Sequence, residues 1–186
     1  MGRIVAIAAL VISLIALWVL AALLWPRLPE RIPMHFDFSG VPDRWEARSA
    51  TNWFLLPALA TVFTAFLAAT GASIPWMLRR FPHLVNVPRK AELLALPEDA
   101  RRRALSPTID MMLWVAAIIN AMMANILYGS WMVGTGAWKT LPAIWPLLAI
   151  VGMIAAAVIL GTWRTSQRIL IEWAIVQSTA KTHRTR

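Results

Sequence analysis

A histidine and two aspartates, His35, Asp37 and Asp43, lie close together in the stretch "RIPMHFDFSGVPDRWE". An imidazole with carboxylates can bind a divalent ion such as zinc, and a histidine beside a carboxylate can act as an acid–base pair. The sequence contains no HExxH motif and no nucleophile elbow, and His-x-Asp alone has little specificity. Three interpretations stay open: a catalytic or metal site, a docking surface and a structural cap. We expect neither a catalytic residue nor a bound metal.

Apolar and other residues alternate strictly at the start of this stretch, where one set comprises Ile32, Met34, Phe36 and Phe38. A period of two predicts an extended strand with one apolar face, with His35 and Asp37 side by side on the other face. Ser39 and Gly40 predict a turn in which glycine supplies a positive φ. The candidate docking residues of this loop are His35, Phe36, Asp37, Gly40, Asp43 and Trp45.

The composition of the whole chain predicts that a membrane surrounds the elements that hold this loop. The chain has 186 residues, of which 59% are hydrophobic and only 15% charged, with a mean hydropathy of +0.63. It contains no cysteine, which excludes disulfides, iron–sulfur clusters and thiol nucleophiles within it. Each of four apolar runs reaches the roughly 20 residues that a membrane helix requires; they are residues 4–25, 53–78, 108–133 and 141–163. We therefore expect an all-α integral membrane protein, a bundle of four transmembrane helices.

The distribution of charge predicts how this bundle lies in the membrane. The net charge is +9, and all but five of the 18 basic residues lie in the terminal segments and the loop between the second and third spans. The positive-inside rule then places both termini and that loop in the cytoplasm, and residues 31–46 outside. We expect a multi-pass protein of the bacterial inner membrane. No basic groove with interleaved aromatic residues is visible, so we expect no nucleic-acid partner.

The predicted cytoplasmic loop, "PHLVNVPRKAELLALPEDARRRALSP", is the second informative stretch. It is expected to be extended around Pro88 and then to form two short amphipathic helices. Its basic residues suit an anionic lipid surface at the cytoplasmic face. The candidate docking residues of this loop are Asn86, Pro88, Arg89, Lys90, Arg101, Arg102 and Arg103.

Three polar residues lie within the third apolar run, namely Asp110, Asn120 and Asn125. We expect Ser106 to cap this helix and Asp110 to lie in its first turn, where a negative charge favours the helix dipole. Buried amides in membrane helices usually form hydrogen bonds between helices, which is the role expected for both asparagines.

The segment after the fourth span predicts an amphipathic helix that continues from that span. Ile169, Trp173 and Val176 share one of its faces, and its end is basic. We expect this helix to lie at the membrane interface, against anionic lipid.

The two loops resemble a known pattern. The segment "LPERIPMHFDFSGVPDRW" resembles the signature of a bacterial membrane domain of unknown function, number 1648, which is shared with SdpI-type immunity proteins. In that family the segment is roughly I-P-x-H-F-x-x-x-G-x-x-D-x-W. A second motif of the family, Asn-x-Pro-x-Lys followed by Leu-Ala-Leu-Pro, matches residues 86–97. The resemblance covers residues 1–133, and residues 134–186 hold the fourth span and the basic tail.

The resemblance implies protection against a peptide toxin, or sensing of it. We therefore expect a non-enzymatic membrane protein without a cofactor, which recognises a peptide ligand through its outer loop. The alternative is an accessory subunit of a larger membrane complex, which would bind other membrane subunits. A transporter or membrane enzyme is a third possibility, since ionisable residues within spans mark such paths, and Asp110 is the one candidate for it.

Overall fold

The computed structural model describes residues 2–142 and 144–184 of the chain. Its long helices are α1 (Gly2–Leu24), α2 (Ala50–Arg80), α5 (Ser106–Gly134) and α6 (Ile144–Arg184). Two antiparallel strands, β1 (Arg31–Phe36) and β2 (Pro42–Ala47), connect α1 to α2. Two short helices, α3 (Lys90–Ala95) and α4 (Glu98–Ala104), connect α2 to α5. The short helices lie in the segment where the sequence predicts a helical pair.

Four helical segments of the described residues are long and apolar enough to cross a membrane, in agreement with the prediction. Helix α5 is central, since it contacts α1, α2 and α6. We call the end of the bundle that carries β1 and β2 the hairpin end, and the end that carries α3 and α4 the loop-helix end. Helix α6 has 41 residues and is therefore about 60 Å long, twice the thickness of a bilayer core.

A buried apolar cluster at the hairpin end joins the strands to the helices. Ile32 of β1, Leu28 of the preceding segment and Trp53 of α2 pack in it with α1 and with Leu127 of α5. The indole nitrogen of Trp53 donates a hydrogen bond to the Ala21 carbonyl at 2.9 Å. A tryptophan that fills the core and also satisfies its N–H group fixes the start of α2 against α1.

A second buried cluster, at the loop-helix end, holds α3, α4 and the last half of α6 together. Leu93 and Leu96 from the α3 segment are buried against Ile169 of α6, and Trp173 and Val176 pack beside them. The apolar face of the terminal helix therefore contacts the protein itself, where the sequence predicted contact with the membrane interface. The sequence pattern identifies the face correctly but cannot distinguish a protein partner from a lipid one.

The starts of α2 and α5 are capped differently. Ser49 caps α2, because its hydroxyl accepts a hydrogen bond from the Asn52 amide at 3.1 Å. The prediction that Ser106 caps α5 is wrong: Ser106 is the first helical residue and Leu105 occupies the cap position without a side-chain hydrogen bond. Helix α4 ends at Ala104, so α5 follows it almost directly and leaves no extended residue for a serine cap.

Candidate functional site

The two strands pair in an irregular register that determines where the polar side chains of the hairpin lie. Ile32 lies opposite Glu46 and Pro33 opposite Trp45, whereas His35 lies opposite Arg44. The register shifts between Pro33 and His35 and again after His35. Irregularities of this kind change the direction of a side chain at one position of a ladder.

His35 contacts Asp43 across the hairpin. Its Nδ1 atom lies 2.6 Å from an Asp43 carboxylate oxygen, and both side chains are exposed, at 64% and 49%. This contact uses Nδ1 and one carboxylate oxygen. The imidazole Nε2 and the second carboxylate oxygen of Asp43 take no part in it, and the contact sets their direction. This arrangement can present hydrogen-bond groups to a partner in solution.

The sequence predicted Asp37 beside His35 on the polar face of the strand, but β1 ends at Phe36 and Asp37 holds the turn. Its carboxylate accepts hydrogen bonds from the backbone amides of Ser39 and Val41 at 2.8 and 2.9 Å. Its own backbone bonds to Val41 and Gly40 close the turn. An aspartate at the start of a turn satisfies local amides in this way, so that its carboxylate is committed to the backbone.

Phe38 corrects the prediction of a continuous apolar face. Ile32 is buried and Phe36 is half-buried, but Phe38 is 100% exposed. Strand β1 ends at Phe36, so Phe38 lies in the turn, where the alternation of the strand no longer applies. An aromatic ring is therefore presented at the tip of the hairpin.

The linker between α5 and α6 holds the turn of the hairpin in place. The amide of Leu141 donates a 2.8 Å hydrogen bond to the carbonyl of Gly40, which is buried and has φ +77°. A Cβ atom on Gly40 would lie 2.0 Å from the Leu141 carbonyl oxygen. Gly134, at the end of α5, packs against Pro29 and Pro33. The hairpin is thus fixed both at its turn and along β1.

Arg48 fixes the base of the hairpin, and the sequence analysis did not identify it. Its guanidinium donates to the Leu28 carbonyl at 3.0 Å and lies 5.4 Å from the centre of the Trp25 ring. Its amide donates to the Glu30 carbonyl. An arginine among aromatic residues was the available signal, because guanidinium groups stack on indole rings. Trp45 is half-buried in β2, opposite Pro33.

The arginines predicted as a docking surface at the loop-helix end are bound within the chain. Arg103 forms two hydrogen bonds with the Glu172 carboxylate, at 2.9 and 2.8 Å. Arg101 donates to the carbonyls of Leu94 and Leu96, and Arg102 pairs with Glu98 at 2.7 Å. Arg101 and Arg103 thus connect α4 to the α3 segment and to α6, whereas the contact of Arg102 lies within α4.

The preceding residues of that loop are arranged differently. Arg89 has a positive φ of 52° and donates to the Ser166 hydroxyl at 3.0 Å. Asn86 is exposed, Pro88 is half-buried and Lys90 begins α3. The segment thus lies against α6 through Arg89, while Asn86 faces solvent.

The polar residues of α5 have three different environments. Asp110 was predicted in the first turn of α5, but the helix begins at Ser106 and Asp110 lies beyond that turn, where it pairs with the Arg3 guanidinium of α1. Asn120 is fully buried; it donates to the Ser13 hydroxyl at 3.3 Å and accepts from the Thr64 hydroxyl at 3.2 Å. It therefore connects α1, α2 and α5, as predicted. The bond between helices that was predicted for Asn125 is not found within the described residues, where this side chain is exposed and has no hydrogen bond.

The polar side chains of the hairpin do not converge on one point. Within residues 2–142 and 144–184 there is no group of three or more His, Asp or Glu side chains placed to hold a metal ion. The hairpin combines an exposed ring, an exposed His–Asp pair and a fixed turn. Its geometry suits binding at a surface.

The fold defines a class, the multi-pass membrane proteins with four candidate spans. Residues 5–61 match the family model described as "Domain of unknown function (DUF1648)", which confirms the predicted resemblance to that domain. The match covers α1, the hairpin and the first part of α2. The motif at residues 86–97 lies beyond it, so the extension of the domain to residue 133 stays a prediction.

A protein of Archaeoglobus fulgidus that is described as uncharacterized is 30% identical to this chain over 77 residues. The aligned segment spans 41% of this chain and 41% of that relative. No solved structure matches the chain.

Proposed function

We propose that this chain is a non-enzymatic protein of the bacterial inner membrane, with both termini in the cytoplasm and the hairpin outside. Its function is the recognition of a peptide or protein ligand at the hairpin, in immunity or signal sensing. The charge distribution supports this orientation, because most basic residues lie at the loop-helix end. The match of residues 5–61 to a membrane domain of unknown function is compatible with it.

The observation that carries the proposal is the fully exposed Phe38 on a turn that the rest of the molecule holds rigidly. Aromatic side chains on fixed supports are typical anchors of binding surfaces, since little conformational entropy is lost when they bind. The His35–Asp43 pair lies on the same hairpin and supplies polar, directional groups. An apolar anchor beside a polar pair matches the general composition of a protein-binding surface.

Site-specific crosslinking tests this function. A photoreactive amino acid at position 38 should give a discrete adduct in native membranes, because this side chain is fully exposed. The adduct should disappear in the His35→Ala/Asp43→Ala variant. The adduct should persist in the Arg44→Ala/Glu46→Ala variant. This variant removes another exposed ion pair of the hairpin, in which the charged groups of Arg44 and Glu46 in β2 lie 3.5 Å apart.

The abundance of each variant in the membrane is the control for folding. Equal loss of the adduct in both double variants at normal abundance would contradict recognition through His35 and Asp43. The same crosslinking is done in membranes from cells that were exposed to candidate peptides. If position 38 gives no adduct there, the proposal as a whole is contradicted.

The alternative function, an accessory subunit of a membrane complex, has its own supporting observation. Asn125 lies in α5, nine residues before the helix ends at Gly134, and its exposed side chain has no hydrogen bond inside the described chain. An amide that faces hydrocarbon without a partner is unfavourable, and a neighbouring membrane helix can supply the missing hydrogen bond.

Native mass in a mild detergent tests this alternative. The Asn125→Leu variant should release the 20.7 kDa chain from a larger assembly, while the fold stays intact. Asn120→Leu is the matched control, since that amide bonds within the chain and its loss should lower thermal stability without selective release. A single-chain mass for the unaltered protein would rule out the subunit function.

A further inference from the structure

A crevice of about 720 Å³ opens between α1, α5 and α6 at the loop-helix end, far from the hairpin. Arg3 of α1 and Asp110 of α5 line one side of it, and Arg164 and Arg168 of α6 line the other. Below these charges the walls are formed by side chains that include Trp114 and Leu160.

The α6 wall changes from apolar to basic along its length. Ala157, Leu160, Arg164 and Arg168 all line the crevice. Their spacing of three and four residues places them on one helical face. Eleven residues of helix cover about 16 Å, which is comparable to a lipid headgroup together with the upper part of an acyl chain.

The α5 wall changes in the same direction. The hydroxyls of Thr108 and Thr165 lie 2.8 Å apart, and Gly161 packs against Met111. The two helices are therefore antiparallel, and residues near 110 of α5 lie beside residues near 163 of α6. Asp110 and the Arg3 guanidinium therefore lie toward the charged end of α6, and Trp114 lies at the level of its apolar part. A molecule that fits both walls must itself have a polar end and an apolar end.

The charges at the wide end favour an anion. Asp110 is already paired with Arg3, which also donates to the Ser106 carbonyl at 3.2 Å. Arg164 and Arg168 are exposed and form no ion pair within the part of the chain that the structure describes. Glu172, one turn beyond Arg168, accepts both of its ion-pair hydrogen bonds from Arg103, and the charge of Arg168 acts on it only at longer range. Two unpaired guanidinium groups one helical turn apart can bind one phosphate group.

We propose that this crevice binds one anionic phospholipid from the leaflet at the loop-helix end. Its phosphate lies between Arg164 and Arg168, and an acyl chain lies along Leu160 and Trp114. Basic pockets between membrane helices at one face of the bilayer bind lipid headgroups. Here the arginines supply the positive charge, and the apolar walls below them supply a surface for the acyl chain. The lipid fills the space between α1 and α6, each of which packs against α5.

Lipid titration followed by native mass spectrometry tests the site. The purified chain in mild detergent should retain one phosphatidylglycerol molecule, and bind phosphatidylcholine and inorganic phosphate much more weakly. The Arg164→Gln/Arg168→Gln variant should bind phosphatidylglycerol about thirtyfold more weakly. This factor follows from the typical contribution of each arginine to the free energy of binding at an anionic membrane surface.

Two further variants distinguish a site from general charge. Arg79→Gln/Arg80→Gln removes two basic groups from the same end of the molecule but outside the crevice, and should leave the affinity unchanged. Leu160→Trp fills the apolar part without changing any charge, and should weaken lipid binding but not the thermal stability in detergent. Equal weakening by the two charge variants, or equal binding of both lipids, would overturn the proposal, as would phosphate binding as strong as that of the lipid.

Discussion

At the scale of single residues, the position of the hairpin depends on a glycine. Gly40 has φ +77°, and its carbonyl accepts the Leu141 amide. An alanine there would need a left-handed backbone, at a cost of about 1 kcal/mol. Its Cβ atom would also meet the Leu141 carbonyl oxygen at 2.0 Å, so the linker or the turn must move.

We therefore expect Gly40→Ala to lower the free energy of unfolding in detergent by about 1 kcal/mol for the backbone and a further 1–3 kcal/mol for the clash. Gly136→Ala is the matched control, because Gly136 has φ +78° and no atom within 4 Å of its Cβ position. The Gly136→Ala variant should lose only the stability that the left-handed backbone costs, about 1 kcal/mol. Thermal unfolding of both variants measures the difference, and equal losses would show that Leu141 does not constrain the turn.

The sequence predicted the residues of the outer loop better than their partners. A glycine turn after alternating residues was visible, and Gly40 indeed has a positive φ. The contact between His35 and Asp43 was not, because it depends on a register shift that has no signature in the order of the residues. The contact of Gly40 with Leu141 joins positions about a hundred residues apart, and no local pattern encodes it.

At the scale of elements, the attachment of α6 to the loop helices depends on one buried carboxylate. The Glu172 side chain is 6% exposed and receives both guanidinium hydrogen bonds from Arg103. Removal of one partner leaves a buried charge unpaired, which is more harmful than the loss of an exposed pair. The Arg103→Met variant should therefore free the last turns of α6.

Limited proteolysis measures this effect. Trypsin should cleave after Arg168 several times faster in Arg103→Met than in the unaltered chain. Arg102→Met is the control, since its pair with Glu98 is half-exposed on both sides and should be nearly neutral. If the two variants are cleaved at the same rate, the Arg103–Glu172 contact does not hold α6.

The elements differ in how clearly the sequence specifies them. The four long helices follow from length and hydropathy alone, because the bilayer requires both. Strand β2 begins at Pro42 and has no regular alternation of apolar residues, so only its pairing with β1 identifies it as a strand. The contacts of Arg101, Arg102 and Arg103 within the chain were not predicted, because a basic run suits lipid and internal ion pairs equally well in sequence.

At the scale of the whole molecule, the two ends of the bundle have different charge and different architecture. The hairpin end presents Phe38 on a strand pair, and the loop-helix end gathers most of the basic residues around α3, α4 and the end of α6. The long α6 connects both ends, and its charged residues begin at Arg164, beyond the apolar span. A molecule of this asymmetry has a defined orientation in a membrane.

Cysteine labelling measures that orientation, and the absence of any native cysteine makes each variant a single-thiol protein. Ser39→Cys lies in the exposed turn of the hairpin, and Ser178→Cys lies on the exposed face of the last turns of α6. A membrane-impermeant maleimide should label the Ser39→Cys variant in intact cells, and the Ser178→Cys variant only after permeabilisation. The reverse pattern would place the hairpin in the cytoplasm and remove the basis for recognition of an external ligand. Labelling of both variants in intact cells would instead show that the basic end does not fix the orientation, since the positive-inside rule predicts that it stays in the cytoplasm.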